Sequence, residues 1–207
     1  MESRIIDELF RSVVGAASEI FYDRGFKKSR SGCRKESESA IFSLDVSRSR
    51  SSGYGVLFCS FHAYVAIRNL DIVYRQKSGP LKLFYRDYDF SLSQIRLSDD
   101  NSGYWEIKTQ KDVDMAAKDI RTWEPQVIDF FDKFSSETLI VNELHNAASS
   151  ASEAGSDALI FPAIYAFSSG EIEKFDDLCR GAASTFESGS IAARKIEKIA
   201  EVLRKIK

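Results

Sequence analysis

Histidine is scarce in this 207-residue chain: only His62 and His145 occur, on separate stretches. That excludes an HExxH helix and any three-histidine metal site. Cysteine is limited to Cys33, Cys59 and Cys179, odd in number, far apart and without a CxxC pair. Neither a zinc ribbon nor a disulfide framework is indicated, and reduced structural thiols are expected. Proline (3) and glycine (11) are few against 43% apolar, 29% charged and 12% aromatic residues, which excludes a collagenous, low-complexity or disordered chain. No long hydrophobic run exists. The longest, residues 53–67, is broken by Ser60 and His62 and falls short of the roughly 20 residues that span a bilayer. The opening MESRIIDELF alternates charged and apolar residues and lacks the basic, apolar and small-residue regions of a secretory leader. A cytoplasmic protein with no membrane partner is expected. No sign of charge dominates: 29 Lys and Arg stand against 31 Asp and Glu, a formal −2, unlike a dedicated DNA binder.

The motifs of common chemistries are missing as well. No glycine is followed by lysine, so there is no P-loop, and Gly53-Tyr54-Gly55 lacks the third glycine and the strand–helix setting of a dinucleotide fingerprint. No GxSxG elbow occurs. The adjacent acids Asp99-Asp100 and Asp176-Asp177 read as solvated carboxylates of a turn and of a helix face. His62 alternates with Phe61 and Ala63 on a strand, with Cys59 on the opposite face of the pleat, so it reads as a hydrogen-bonded structural residue rather than half of a Cys–His pair. His145 reads as a solvated helix residue. The expectation is no catalytic residue, no metal ligand and no cofactor.

What is present is regular patterning. Residues 3–22 place Ile6, Leu9, Phe10, Val13, Ala17, Ile20 and Phe21 at helical spacing, and Gly25 followed by Phe26 supplies a left-handed stop with its apolar contact. Phe42, Leu44 and Val46 alternate with Ser43, Asp45 and Ser47, the period of a strand with one wet face. Residues 54–67 are apolar at both parities, as a central strand covered on both faces would be, and the two runs make a hairpin. A short helix around 69–76, a strand over 83–92, a turn at 98–103 and a return strand over 104–109 follow. Beyond residue 110 the period is helical. Asp112 or Asp114 caps a helix that Pro125 is expected to kink or break, and Ser136 caps the next. Residues 147–157 form a small, polar connection, 159–167 and 172–183 make a helical hairpin, and Ser190 caps a last helix. The fold class is α+β: an N-terminal helix packed on a four- to five-stranded antiparallel sheet, then an all-helical C-terminal third. As domains this gives 1–135 for helix plus sheet and 136–207 for a helical extension, or one domain throughout.

Charge is unevenly spread. Residues 1–104 hold 16 basic and 13 acidic side chains, 105–193 hold 7 and 16, and 194–207 hold 6 and 2. Within the acidic middle, Glu171, Glu173, Asp176 and Asp177 lie on the polar face of one helix and are the candidate contact for a cationic protein partner. A basic cluster, Arg24, Lys27, Lys28, Arg30, Arg34 and Lys35, joined by Arg48 and Arg50, has few interleaved aromatics, so nucleic-acid binding is the weaker reading. A pocket between the sheet and the C-terminal helices, lined by His62, Tyr64, Tyr85, Tyr88 and Trp105, is the candidate site for a small ligand.

Certain words in the chain carry a resemblance. A helix ending in Gly25-Phe26-Lys27-Lys28, an arginine-bearing strand, a hairpin, an isolated Trp105 before a strand, an acid-led helix over 112–120 and the run Phe130-Phe131-Asp132-Lys133-Phe134 resemble the bacterial domain-of-unknown-function family 4304. The resemblance covers about residues 3–180 and departs from the pattern in the Ser-Arg repeats of the hairpin. No catalytic residue is established for that family. What it implies is a cytosolic bacterial protein, some of whose relatives look like immunity proteins encoded beside secreted toxins. The function expected is therefore a non-catalytic binding protein of that kind. The alternatives are a small-ligand-binding or hydrolytic protein and a weak nucleic-acid binder.

Overall fold

A computed structural model describes residues 2–99, 102–150 and 157–206. In chain order the elements are α1 (Glu2–Phe21), β1 (Lys27–Lys28), β2 (Gly32–Glu36), β3 (Ala40–Arg48), β4 (Leu57–Ile67), α2 (Asp71–Tyr74), β5 (Phe90–Ser93), α3 (Gln94–Leu97), β6 (Trp105–Ile107), α4 (Gln110–Asp132), α5 (Glu137–Ser149), α6 (Phe161–Ser168), α7 (Ile172–Ser184) and α8 (Ile191–Ile206). They fall into two compact units, Met1–Ala66 with Tyr88–Asp132, and Ile67–Asp87 with Lys133–Lys207. The short helix region 67–87, which the sequence groups with the sheet, thus sorts with the C-terminal helices.

The first unit is two-layered. Its six strands run β1-β2-β3-β4-β5, with β6 also on β4, and the registers of β1 on β2, β2 on β3, and β5 and β6 on β4 are antiparallel. The α+β expectation holds, with six strands among the described residues against the four to five expected. Lys27 and Lys28 on β1 place charge on that edge, which discourages pairing with another chain. Both β5 and β6 pair with β4, β5 along 62–65 and β6 along 57–59. Between them the Phe61 N–H donates to buried Gln94 Oε1 at 3.0 Å, so a side chain of α3 fills the break in the ladder.

Burial alternates along the central strands. Phe42, Leu44 and Val46 of β3 and Leu57, Cys59, Phe61, Ala63 and Val65 of β4 are core, while their neighbours 41, 43, 45, 58, 60, 62 and 64 are half-buried. Over 57–64, β4 is therefore covered on one face, against the expectation of two. The covering layer is α1 and α4. Ile6, Val13, Val14, Ala17 and Phe21 are buried on α1, whereas Leu9, Phe10 and Ile20 of the expected stripe are half-buried. The stripe turns toward Val14 and Ser18 because β2 comes in close there: Ser18 Oγ lies 2.8 Å from both Val14 O and Gly32 O. Gly25 closes the helix at φ +81°, and Phe26 stacks edge-on to Phe21 at 5.8 Å, as read from the sequence.

Thr109 and Asp112 form a capping box at the start of α4. Asp112 Oδ2 accepts from the Thr109 N–H at 2.8 Å and from the Lys108 N–H at 2.9 Å. These bonds, with the Thr109 hydroxyl, hold the Asp112 carboxyl below its usual pKa. Pro125 does not end α4, which continues to Asp132. Trp123, Val127 and Phe131 on either side of it are buried, and their packing offsets the hydrogen bond that proline removes. The strand expected over 83–92 shrinks to Phe90–Ser93, with a 3-10 turn at Lys82–Phe84 before it.

In the second unit, α5 to α8 pack in sequence. Ser136 Oγ accepts from the Leu139 N–H at 3.4 Å and Ser190 Oγ from the Ala193 N–H at 3.2 Å, the two caps read from the sequence. Helix α6 is buried from Phe161 to Ala166, and Gly170 turns the α6–α7 hairpin at φ +83°. Of the polar connection expected over 147–157, residues 151–156 lie outside the described residues. Among the described residues no helix is long and apolar enough to cross a membrane.

Candidate functional site

With α1 and α4 on one face of the sheet, the opposite face carries the even-numbered side chains of β4 and the odd-numbered ones of β3. Strand alternation alone gathers Ser43 and Asp45 with Ser60, His62 and Tyr64, because β3 and β4 are neighbours. On β5, Ser93 stands opposite His62 and Ser91 opposite Tyr64. Tyr88 lies just before that strand and reaches Tyr64.

The face is ordered by specific contacts. Ser60 Oγ and His62 Nε2 are 2.8 Å apart. The His62 and Tyr64 rings are stacked at 5.6 Å and 9°, and Tyr64 and Tyr88 at 4.2 Å and 23°. Ser31 Oγ donates to Asp45 Oδ1 at 2.7 Å. Burial lowers the His62 pKa, with Asp45 opposing in part, so the imidazole is held toward its neutral form. Burial, then Tyr88 and Asp45, pushes the Tyr64 phenol up to about 12, which keeps it a donor at neutral pH.

Chemically the face offers hydroxyls, an imidazole and one carboxylate at fixed spacing. Ser60 and His62 have the separation of a nucleophile and its base. The rest of a hydrolytic centre is not assembled around them: Asp45 takes its hydrogen bond from Ser31, and the neighbouring Phe61 N–H is committed to Gln94 rather than to an oxyanion. The rings of His62, Tyr64 and Tyr88 face one another, which uses the π surfaces that a stacked base would need.

At the β6 end of the same face, Phe58 meets Tyr104 edge-on at 5.7 Å. With Ser49 and Ser51 they line an open hollow of about 340 Å³.

Of the five residues expected to line one pocket, His62, Tyr64 and Tyr88 come together. Trp105 does not join them. It is the register partner of Cys59, on the helix side of the sheet, where it stacks on Trp123 at 5.5 Å and its Nε1–H donates to Asp119 at 2.9 Å. Tyr85 belongs to the second unit, its hydroxyl donating to Asp87 at 2.6 Å.

Glu171, the N-cap of α7, and Glu173, Asp176 and Asp177 on the helix are exposed or half-buried, but three of the four carry internal cations. Glu171 pairs with Lys174 at 3.1 Å, Asp177 with Arg180, and Asp176 with Arg204 at 2.7 Å. In the basic cluster, Arg24 pairs with Glu124, Arg34 with Glu36 and Arg48 with Asp7. His145 is exposed on α5. All three cysteines are buried and free. Desolvation raises Cys33 to about 12, with Asp45 adding, and Cys59 to about 12. It raises Cys179 to about 11 against a lowering by Arg204. Among the described residues no group of three or more His, Cys, Asp or Glu is placed to hold a metal ion.

Ser31, Asp45, Ser60 and Ser93 did not figure among the sequence candidates. The wet parity of β3 pointed to Ser43 and Asp45, but no local signal says that Asp45 and His62 share a face. No family model, curated protein or solved structure matches the chain.

Proposed function

We propose that this chain is a cytoplasmic binding protein without catalysis of its own, and that the face of its sheet opposite α1 and α4 receives a protein partner. One observation carries the reading. The face stacks His62, Tyr64 and Tyr88 in a row and holds them half-exposed, with burial raising the pKa of the Tyr64 phenol and lowering that of the His62 imidazole beside Asp45. Tyrosines fixed by their neighbours lose little side-chain entropy on binding and supply both apolar area and a hydrogen bond, which is what interface hot spots require. The resemblance to family 4304 supports an immunity protein as the specific form, with a secreted bacterial toxin as the partner. The α7 acids contribute less to that contact than their number implies, since three are already neutralised within the helix region.

Affinity capture from the native host tests the proposal, with wild type, Tyr64→Ala/Tyr88→Ala and Glu173→Lys/Asp177→Lys run side by side and folding checked by circular dichroism. The expected result is a defined protein retained by wild type and by the α7 variant and lost from the tyrosine variant. Equal retention by the tyrosine variant would move the interface off the sheet.

The 2.8 Å Ser60–His62 pair favours one second reading, ester or amide hydrolysis with Ser60 as nucleophile. Turnover of p-nitrophenyl esters that disappears in Ser60→Ala would replace the binding reading with it.

A further inference from the structure

The second unit carries a surface of a different character. Residues 67–87 hold five basic side chains against two acidic ones. Within them the stretch Leu81-Lys82-Leu83-Phe84-Tyr85 turns two of its side chains outward: Leu83 is 74% exposed and Tyr85 37%. This exposure is built in. Leu81 is buried and anchors the stretch, Lys82–Phe84 is a 3-10 turn closed by the Phe84 N–H to Leu81 O at 3.0 Å, and the Arg86 N–H donates to Tyr74 O at 2.7 Å. The turn is therefore held in the shape that pushes Leu83 into solvent.

A second element meets it. Lys195 of α8 places its ammonium 5.4 Å from the Phe84 ring centre. One turn earlier on the same side of α8 stands Ile191, 80% exposed. On the other flank, Lys77 sits 5.6 Å from the Tyr85 ring. Two exposed aliphatic side chains and two aromatic rings thus have the ammonium groups of Lys77 and Lys195 against the rings, and exposed Lys82 lies in the same turn.

We propose that this turn and the start of α8 form an interfacial docking site for an anionic lipid surface. Charge complementarity selects that occupant. Lysines beside an apolar tip reach back to phosphate groups while the tip enters the acyl boundary. The contact is peripheral, since no helix among the described residues crosses a membrane. It is independent of the sheet face, which lies in the first unit.

Co-sedimentation of the full chain with phosphatidylcholine vesicles, with and without phosphatidylglycerol, tests this. The chain is expected to partition onto the anionic vesicles, to come off as salt rises, and to ignore pure phosphatidylcholine. Leu83→Asp, at a side chain exposed enough to spare the fold, should weaken partition about tenfold or more, the factor that goes with one buried leucine side chain. Lys82→Glu/Lys195→Glu should abolish it. No partition onto anionic vesicles would overturn the proposal. So would partition that Leu83→Asp leaves unchanged and that poly-glutamate competes away, which would assign the surface to an acidic protein instead.

Discussion

Replacing Gly32 with alanine should be among the most damaging changes of one methyl group in this protein. An ideal Cβ at Gly32 would lie 1.8 Å from Leu44 O, 2.8 Å from Leu44 C and 3.1 Å from Asp45 Cα. All three are backbone atoms of β3, so no side chain can swing away and β2 itself must move out by an ångström or more. That movement strikes several contacts together: the 2.8 Å hydrogen bond from Ser18 to Gly32 O, the 2.7 Å bond from the Val46 N–H to Ser31 O, and the Ser31–Asp45 bond at the edge of the candidate site. Overpacking costs about 1–3 kcal/mol, and each hydrogen bond weakened adds about 1 kcal/mol. A loss of about 4–6 kcal/mol follows, a large share of the ~5–15 kcal/mol that folds a typical domain. Gly15, in the middle of α1, is the internal control, since a methyl group added there meets nothing within 4 Å. At that position the same substitution should stabilise by about 0.5–1 kcal/mol, because alanine restricts the unfolded chain and clashes with nothing. Urea unfolding followed by far-ultraviolet circular dichroism would read both. Gly32→Ala within ~1 kcal/mol of wild type would refute the close approach of β2 to β3 and the placement of Ser31 beside Asp45.

Three further outcomes are expected. Ile6→Ala, at a buried position on α1, should cost about 2–5 kcal/mol in the same urea assay and Leu9→Ala, half-buried, clearly less; equal costs would restore the stripe read from the sequence. Cys33, Cys59 and Cys179 are buried with thiols raised to about 11–12, so a thiol reagent at mildly alkaline pH should label none of them until denaturant is added, and rapid labelling of the native protein would contradict that burial. Burial lowers the His62 pKa in the folded state, so the unfolded chain binds the extra proton: stability is full above the unfolded value of about 6.5 and falls as pH drops through it toward the folded value. His62→Gln should therefore lose less stability than wild type on acidification through that window, and parallel profiles would show that His62 is as solvated folded as unfolded.

The elements that were legible in the sequence are those whose signal is local. Gly25 with Phe26 stops α1, Ser136 and Ser190 cap their helices, and Phe42, Leu44 and Val46 alternate as a strand must, all through residues within a few positions of one another. Strand β2 was hidden because Gly32-Cys33-Arg34-Lys35-Glu36 has no apolar alternation; it is held by its ladder to β3, a partner in space. The alternation of Tyr88, Phe90 and Leu92 suggested a longer strand than the four residues that find a partner on β4. Pro125 signalled a break that the buried residues around it overrule. At the site, strand parity separated His62 from Cys59 and could have done the same for Trp105, but only once Trp105 is known to pair with Cys59. The approach of Asp45 to His62 depends on two strands lying side by side, which no spacing along the chain encodes.

The central claim, that the sheet face opposite α1 and α4 is the recognition surface, is tested most directly by site-specific photocrosslinking in the native host. A photoreactive phenylalanine would be placed singly at Tyr88, exposed beside Tyr64, and at Glu173 on α7. The account predicts one covalent adduct of defined mass from position 88 and none from position 173. An adduct from position 173 alone would contradict it.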